Sequence, residues 1–189
     1  NNTLADIAAN AGQLGIATDN VVRFTDVMSD LSATTNLSAE EGASAFAKFA
    51  NITGMSQNNF DRLGSTVVEL GNNMATTEKD IVSMATNLAS AGSQIGMSEP
   101  EIMGVSAALS SLGLEAQAGG TAFSKLFVNM QVAVETGNAK LKEFAAVAGM
   151  SAKEFAAAFQ ADAAGAVTQF ISGLSTGSQS AIAMLDDMG

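Results

Sequence analysis

Apolar residues recur along almost the whole chain at the spacing of one helix face. Steps of three and four residues place successive side chains on the same side of an α-helix, whereas a half-buried strand alternates with a period of two. No comparable run in this sequence alternates. Four sets show the helical spacing clearly: Val21, Phe24, Met28 and Leu31; Phe60, Leu63, Val67 and Leu70; Ile81, Met84 or Ala85, and Leu88; and Ile102, Val105, Leu109 and Leu112. The sequence therefore predicts an all-α fold.

Short start and stop signals interrupt this pattern every dozen or so residues. Starts have a hydroxyl residue three positions before an acid: Ser38 with Glu41, Thr77 with Asp80, Ser98 with Glu101, and Ser151 with Glu154. In the three serine pairs this is the capping-box spacing, in which each side chain accepts a hydrogen bond from the other residue's backbone N–H. Stops are glycines at positions 54, 71, 92 or 96, 113, 137 and 149. These signals predict about eleven short helices in antiparallel hairpins, forming one compact domain over residues 1–189, near residues 4–14, 19–32, 39–52, 57–70, 78–91, 99–112, 116–134, 139–148, 152–160, 163–173 and 178–187.

The tripeptide Gly-Met-Ser occurs at three of these joints, starting at Gly54, Gly96 and Gly149. We interpret the glycine as a left-handed stop, the methionine as an apolar contact to the last turn, and the serine as the next helix cap. Gly113, Leu114 and Glu115 form a variant in which we expect the apolar contact to be kept. A soft-metal site is the disfavoured alternative, because the methionines are far apart in sequence and neither Cys nor His is present. The predicted site residues are therefore structural helix caps: Gly54, Ser56, Gly96, Ser98, Glu101, Gly113, Gly149, Ser151 and Glu154.

The same signals repeat along the chain at a spacing of 59 or 60 residues. Thr18 and Thr77, Ser38 and Ser98, and Gly54 and Gly113 form three such pairs. This regular spacing predicts a duplicated three-helix unit of about 59 residues, with internal repeats at 18–76 and 77–135 and a shortened third copy at 136–189. The chain also begins without Met, so we expect it to be a fragment of a longer protein.

Composition excludes several classes of chemistry. The chain has neither Cys nor His, which removes the disulfide, the thiolate site, the commonest zinc ligand and the commonest general base. Acid pairs at Glu40/Glu41, Glu99/Glu101 and Asp186/Asp187 are better read as caps and solvated faces than as a glycosidase pair, since Trp and Tyr are absent. We expect no enzyme activity, no cofactor and no metal.

The acidic balance also limits the partners. The formal net charge is −11, which disfavours binding to nucleic-acid phosphates and anionic lipids. Lys140 and Lys142, the densest basic pair, are too few for a nucleic-acid patch. Gly119 and Gly120 lack the context of a phosphate loop, and either let another helix approach closely or bend their own. Residues 163–185 lack charge but carry many polar residues, so we expect no membrane span there.

One apolar stripe leaves two interpretations open. Phe123, Leu126, Phe127 and Met130 lie at helical spacing. They could form a groove for a partner or a membrane-active face, although core packing is favoured, since many short helices need apolar surface to hold together.

Three stretches of the chain resemble the core region of phage tail tape measure proteins. They are "GMSEPEI", "ALSSLGLEAQAGGTAFSK" and "FAAVAGMSAKEF". The resemblance runs from about Ala17 to Leu174 and is strongest from Ala75 onward. It implies a structural protein that lies in the lumen of the tail tube, sets tube length, and leaves the tube when DNA is delivered.

The resemblance also implies partners and a location. The expected partners are other copies of the chain, tail tube proteins, tail tip or baseplate proteins, and tail assembly chaperones. The expected location is the virion tail, with the host cytoplasm during assembly. No nucleic-acid binding is expected, and membrane contact is expected only during infection. Other family members carry separate peptidoglycan-cleaving domains, and nothing in this sequence resembles one.

Two other function classes remain as alternatives at this point. The first is a membrane-active or peptidoglycan-acting module used during infection, and the second is a helical repeat adaptor. The frequent helix breaks also conflict with one continuous rod, which for a chain of this length would measure roughly 280 Å. We therefore expect a compact module in isolation that opens, or stays at a tail end, when the tube is built.

Overall fold

The computed structural model of the chain describes residues 2–175. This part of the chain contains ten α-helices, two short 3₁₀ segments and no strand. The 3₁₀ segments, Thr18–Asn20 and Gln57–Asn59, lead directly into α2 and α4. The helices are α1 (Asn2–Asn10), α2 (Val21–Thr34), α3 (Ala39–Thr53), α4 (Phe60–Asn73), α5 (Glu78–Gln94), α6 (Glu99–Ser111), α7 (Ala116–Thr136), α8 (Ala139–Val147), α9 (Ala152–Ala161) and α10 (Ala163–Ser175). The predicted all-α fold is therefore confirmed over residues 2–175.

Three details of the predicted helices need correction or qualification. The sequence predicts the first helix at 4–14, but α1 ends at Asn10, because the following residues form tighter turns in which Gln13 N–H donates to Asn10 O and Gly15 N–H donates to Gly12 O, before the chain leaves through the left-handed Gly15 with φ of 81°. The sequence predicts Gly71 as a stop, yet Gly71 lies inside α4, which continues to Asn73. The predicted helix at 178–187 lies outside the described residues, so the count of eleven has no structural test.

α5 lies at the centre of the packed helices. It contacts α3, α4, α6 and α7, and eight of its seventeen residues are buried. The buried residues occupy more than one helix face: Ile81, Val82, Met84, Ala85, Leu88, Ala89, Ala91 and Gly92. Such broad burial is typical of a core helix rather than a surface helix.

Glycine permits the closest contact of α5 with α7. A Cβ added to Gly120 of α7 would lie 2.5 Å from Cβ of Asn87 on α5, and one added to Gly119 would lie 3.3 Å from Cε of Met84. Asn87 Nδ2 also donates a hydrogen bond of 3.0 Å to Ala116 O near the start of α7. Of the two interpretations of Gly119 and Gly120, close approach of a neighbouring helix is therefore the one observed.

The order of helix contacts is the same in two consecutive segments. α2 packs on both α3 and α4, and α5 packs on both α6 and α7, whereas the second and third helices of each segment make at most marginal contact with each other. The third helix then packs on the first two helices that follow: α4 contacts α5 and α6, and α7 contacts α8 and α9. The set α8–α10 differs, because α9 and α10 pack on each other and α10 also contacts α6.

Buried side chains also recur at a constant offset in these two segments. Four pairs of residues that are 60 positions apart are buried in both segments: Phe24 and Met84, Met28 and Leu88, Leu63 and Phe123, and Val67 and Phe127. The segments α2–α4 and α5–α7 therefore have matching core positions as well as matching helix contacts.

Candidate interaction surface

The predicted stop glycines of the four joints all have left-handed backbones. The φ angles are 73° at Gly54, 86° at Gly96, 81° at Gly113 and 71° at Gly149. They lie after α3, α5, α6 and α8, respectively. L-residues other than glycine avoid this region because their Cβ clashes with the backbone.

The methionines of the three tripeptides bond back across these glycines. Met55 N–H donates to Ala50 O at 3.1 Å, Met97 N–H to Gly92 O at 2.9 Å, and Met150 N–H to Ala145 O at 2.8 Å. This six-to-one bond is that of the Schellman motif, in which the residue after the left-handed glycine covers the last turn. Met55 and Met97 are buried and Met150 is half-buried. The three thioethers thus belong to three separate joints.

The fourth, variant joint differs from the expectation. Leu114 is 37% exposed, unlike the methionine of the other joints, so the predicted apolar cover is only partial. Its Cβ lies over Gly119, where an added Cβ would be 3.1 Å away. Glu115 is the cap residue of α7 but makes no side-chain capping bond. With Leu for Met and Glu for Ser, this joint keeps the left-handed glycine and lacks the serine cap.

The predicted cap residues at helix starts are placed as follows. Capping boxes join Ser38 with Glu41 at α3, Ser98 with Glu101 at α6, and Ser151 with Glu154 at α9, but at α6 the Ser98 side chain accepts no full hydrogen bond from the helix, so only the bonds donated to Glu101 are in place. Ser98 N–H, for example, donates to Glu101 Oε2 at 2.7 Å. Ser56 caps only the 3₁₀ segment before α4, accepting from Asn58 N–H at 3.4 Å.

Two of the boxed glutamates have lowered pKa values. For Glu41 the largest cause is the hydrogen bond from Lys79, followed by that from Ser38; Lys79 Nζ lies 2.7 Å from Glu41 Oε1. For Glu154 the largest cause is the hydrogen bond from the Ser151 side chain, and the backbone bond lowers its pKa further. A lowered pKa is the opposite of what a general acid needs.

The remaining candidate residues take structural positions. Glu40 and Glu99 lie in the first turns of α3 and α6, and Asp186 and Asp187 lie outside the described residues. Within residues 2–175, no group of three His, Cys, Asp or Glu side chains could hold a metal ion. Nor is any helix in that range both long enough and apolar enough to cross a membrane. The stripe of Phe123, Leu126, Phe127 and Met130 is buried, so of its two interpretations core packing is the one observed.

A groove runs along the surface between α2 and α4. Its volume is about 340 Å³. The α2 wall consists of Val27, Asp30, Leu31 and Thr34, and the α4 wall consists of Asp61, Gly64, Ser65, Val68 and Glu69. We call it the acidic groove, because three of its nine lining residues are carboxylates.

A second groove lies between α5 and α7, with a volume of about 630 Å³. Its α5 wall consists of Asn87, Ser90, Ala91 and Gln94, and its α7 wall consists of Thr121, Ser124, Lys125, Val128 and Asn129. Each of these nine residues follows a lining residue of the acidic groove by the same offset that relates the buried pairs. We call it the polar groove, because Ser90, Thr121 and Asn129 stand where the acidic groove has Asp30, Asp61 and Glu69.

Sequence reasoning missed both grooves. The start and stop signals that predicted the repeat spacing report helix ends, whereas the grooves are formed by mid-helix residues. A signal was nevertheless present: aligning the sequence on itself at the offset between Phe24 and Met84 would have shown five carboxylates of the first segment aligned with uncharged residues of the second, three of which are Asp30, Asp61 and Glu69.

Comparison with known proteins identifies a family. Residues 1–188 match the profile of the phage-related minor tail protein family, which covers nearly the whole chain. The chain belongs to the phage-related minor tail protein family. No curated protein and no solved structure matches it.

Membership in the phage-related minor tail protein family supports a structural role in a phage tail. It places the protein among tail components, which interact with other tail components in general. The surfaces available for such contacts within residues 2–175 include the acidic and polar grooves, which lie on matching helix pairs.

Proposed function

We propose that this chain is a segment of a tape measure protein, which sets the length of a phage tail tube from the tube lumen. The observation that carries the proposal is the correspondence at one constant offset between the segments α2–α4 and α5–α7, in contacts, buried residues and groove walls. In a protein built of successive similar units, each unit adds a fixed length to the protein, and a ruler needs this property. Family membership and the resemblance to tape measure sequences support the same role.

The correspondence also supports an internal duplication. Residues 18–76 and 77–135 would be two copies of one unit, and residues 136–189 a shortened third copy. The capping boxes at Ser38 and Ser98 lie at matching positions, and a third box begins at Ser151. The differences in the third set, where α9 and α10 pack on each other, are compatible with a copy that has diverged at the end of the array.

The proposed role requires the compact module to open inside the tube. The helix joints are the natural places for this, because each consists of a glycine and a cap rather than a long buried connection. We propose that neighbouring helices become collinear as packing between them is replaced by contacts with the tube. In the assembled tail, the protein would contact other copies, tube subunits and the tail tip or baseplate, with chaperones assisting in the host cytoplasm and release occurring at DNA delivery.

Tail length in phage particles tests the proposal. Deleting residues 77–135 from the parent gene removes one proposed unit, which as a continuous helix would span about 90 Å. We expect tails shorter by about that length in electron micrographs, and tails longer by the same amount when the segment is duplicated. As a control, replacing 77–135 with a second copy of 18–76 keeps the residue number, so tail length is expected to be unchanged. Tails of unaltered length after both deletion and duplication would refute the ruler.

A further inference from the structure

The acidic groove carries charge that its fold does not require. The polar groove is formed by the corresponding residues of the second segment, and it has Ser90, Thr121 and Asn129 in place of the three carboxylates. The same helix pairing therefore forms without Asp30, Asp61 and Glu69. Their negative charge is a property of this one surface.

Two of these carboxylates lack a cationic partner within residues 2–175. Asp61 is paired with Arg23, whose Nη2 lies 2.7 Å from Asp61 Oδ2. Glu69 accepts a hydrogen bond only from the neutral amide of Asn73, at 2.9 Å, and Asp30 forms no ion pair in this part of the chain. Both side chains are exposed at the rim of a groove whose floor includes the apolar Val27, Leu31 and Val68. A basic helix with small side chains fits such a surface.

The outer side of α7 has the complementary shape. Thr121, Lys125 and Asn129 follow one another at four-residue steps and line two grooves at once: the polar groove on one side, and a groove of about 660 Å³ toward α8 on the other. They therefore form a ridge with a hollow on each flank, which we call the α7 ridge. Ridges of this four-residue kind pack into grooves of another helical surface.

The α7 ridge also has the complementary charge. Lys125 lies at its centre, is exposed, and forms no ion pair within residues 2–175. Lys140 of α8 and Glu115 at the start of α7 both line the flanking groove, so the positive charge of the ridge itself comes from Lys125, and Ala118 and Ala122 beside the ridge leave room for close approach. The α7 ridge therefore carries the positive charge of Lys125, and the acidic groove carries carboxylates that have no cationic partner within residues 2–175.

We propose that copies of this chain associate head to tail, with the α7 ridge of one copy inserted into the acidic groove of the next. Lys125 then lies between Asp30 on the α2 wall and Glu69 on the α4 wall. Ridge and groove belong to different helices, so the contact is heterologous, and each added copy leaves one ridge and one groove unoccupied. Repetition of the contact gives a linear array, or a ring where the rotation between copies closes. This contact does not depend on the length-setting role and can be tested separately.

Salt gives the first test, because two electrostatic effects act in opposite directions. The whole chain carries −11, so general repulsion between copies weakens as salt is added. The proposed contact pairs opposite charges and weakens with salt instead. Sedimentation of the chain at up to about 1 mM is expected to give a mass that rises above 19.1 kDa at low salt and returns toward it at about 0.5 M. A mass of 19.1 kDa at low salt over that concentration range would overturn the proposal.

Charge reversal gives the second test. Asp30→Lys makes the chain less negative, so general electrostatics would favour association, whereas the proposed contact is lost. Lys125→Glu is also expected to give monomers. The matched controls Asp6→Lys and Lys153→Glu make the same charge changes at exposed residues that line neither groove, and they are expected to leave association in place. Circular dichroism checks that each variant is folded.

Mixing the two single variants separates this geometry from other self-contacts. An Asp30→Lys chain keeps its α7 ridge and a Lys125→Glu chain keeps its acidic groove, so each supplies what the other lacks. The lysine introduced into one groove and the glutamate introduced into the other chain's ridge also attract each other. We expect the mixture to regain association although each variant alone is monomeric. Variants that still associate alone, or a mixture that stays monomeric, would overturn the head-to-tail contact.

Discussion

Arg23 on α2 donates a hydrogen bond of 2.7 Å to Asp61 on α4, joining the two helices that wall the acidic groove. The bond from Arg23 is the largest cause of the lowered pKa of Asp61, and partial burial opposes it. The pair therefore ties together two helices that are separated in sequence by the whole of α3.

The pKa of Asp61 is expected to rise toward its ordinary value in Arg23→Gln. Because the folded-state pKa is lowered, the stabilisation is present above the unfolded pKa and is lost as pH falls through the folded value. The variant should therefore lose more stability relative to wild type at about pH 7 than at about pH 2. Carboxyl carbon shifts in an NMR titration measure the pKa, and Arg62→Gln, which removes an exposed arginine of α4 that forms no ion pair within residues 2–175, is the control. Identical Asp61 titrations in wild type and Arg23→Gln would contradict the pairing.

Ser98→Ala is expected to destabilise the chain by about 0.5 to 2 kcal/mol, the usual cost of losing a hydroxyl N-cap. At the start of α6 the Ser98 hydroxyl and the Ser98 backbone N–H both donate to Glu101 Oε2 at 2.7 Å, so removing the hydroxyl loosens the carboxylate that satisfies this N–H. Urea denaturation measures the free energy of unfolding. Ser44→Ala is the matched control, because Ser44 is exposed inside α3, where alanine is the better helix former. Equal effects of the two substitutions would show that the box contributes nothing.

Gly96→Val and Gly149→Val are each expected to destabilise the fold by on the order of 1 kcal/mol or more. The two glycines have φ of 86° and 71°, in the left-handed region that a β-branched residue avoids. Gly104 offers a control inside α6, where an added Cβ meets no atom within 4 Å, so Gly104→Ala is expected to stabilise slightly. Thermal melting compares the three, and unchanged melting of the valine variants would place those glycines outside left-handed caps.

Gly120→Ala is expected to cost about 1 to 3 kcal/mol, which is typical of overpacking. The new Cβ would meet Asn87 Cβ at 2.5 Å, so α5 and α7 would have to separate. Because α7 also forms a wall of the polar groove, the backbone amides of Asn87 and Ser124 should shift in NMR spectra. A fully stable variant with unshifted amides would mean that the two helices are not in close contact there.

Helix positions were largely predictable from sequence because their signals are local. A box such as Ser38 with Glu41, and a left-handed stop such as Gly54, depend on residues within one turn of each other. The prediction for Gly71 is wrong because a glycine inside a helix and a glycine after one look alike in sequence. Here the missing Cβ leaves space for Glu78, whose Oε1 would lie 2.5 Å from an added Cβ. That contact, with a residue beyond the end of α4, cannot be read from the periodicity of α4.

The surfaces were less predictable because they combine distant residues. Asp30 and Glu69 lie far apart in sequence, and they line one groove only because α2 packs on α4 while α3 lies elsewhere. Nothing local to either residue indicates this pairing. Leu114 likewise preserves the apolar character of the joint sequence, but its exposure depends on how α7 leaves that joint.

Small-angle X-ray scattering from the isolated chain measures most directly whether these helices form one compact module. A compact chain of this length has a radius of gyration of about 16 Å by the usual scaling of folded domains. We expect a value near this in dilute solution at high salt, where head-to-tail association is weak. A maximum dimension approaching the roughly 280 Å of one continuous helix would contradict the compact fold from which the ruler is proposed to open.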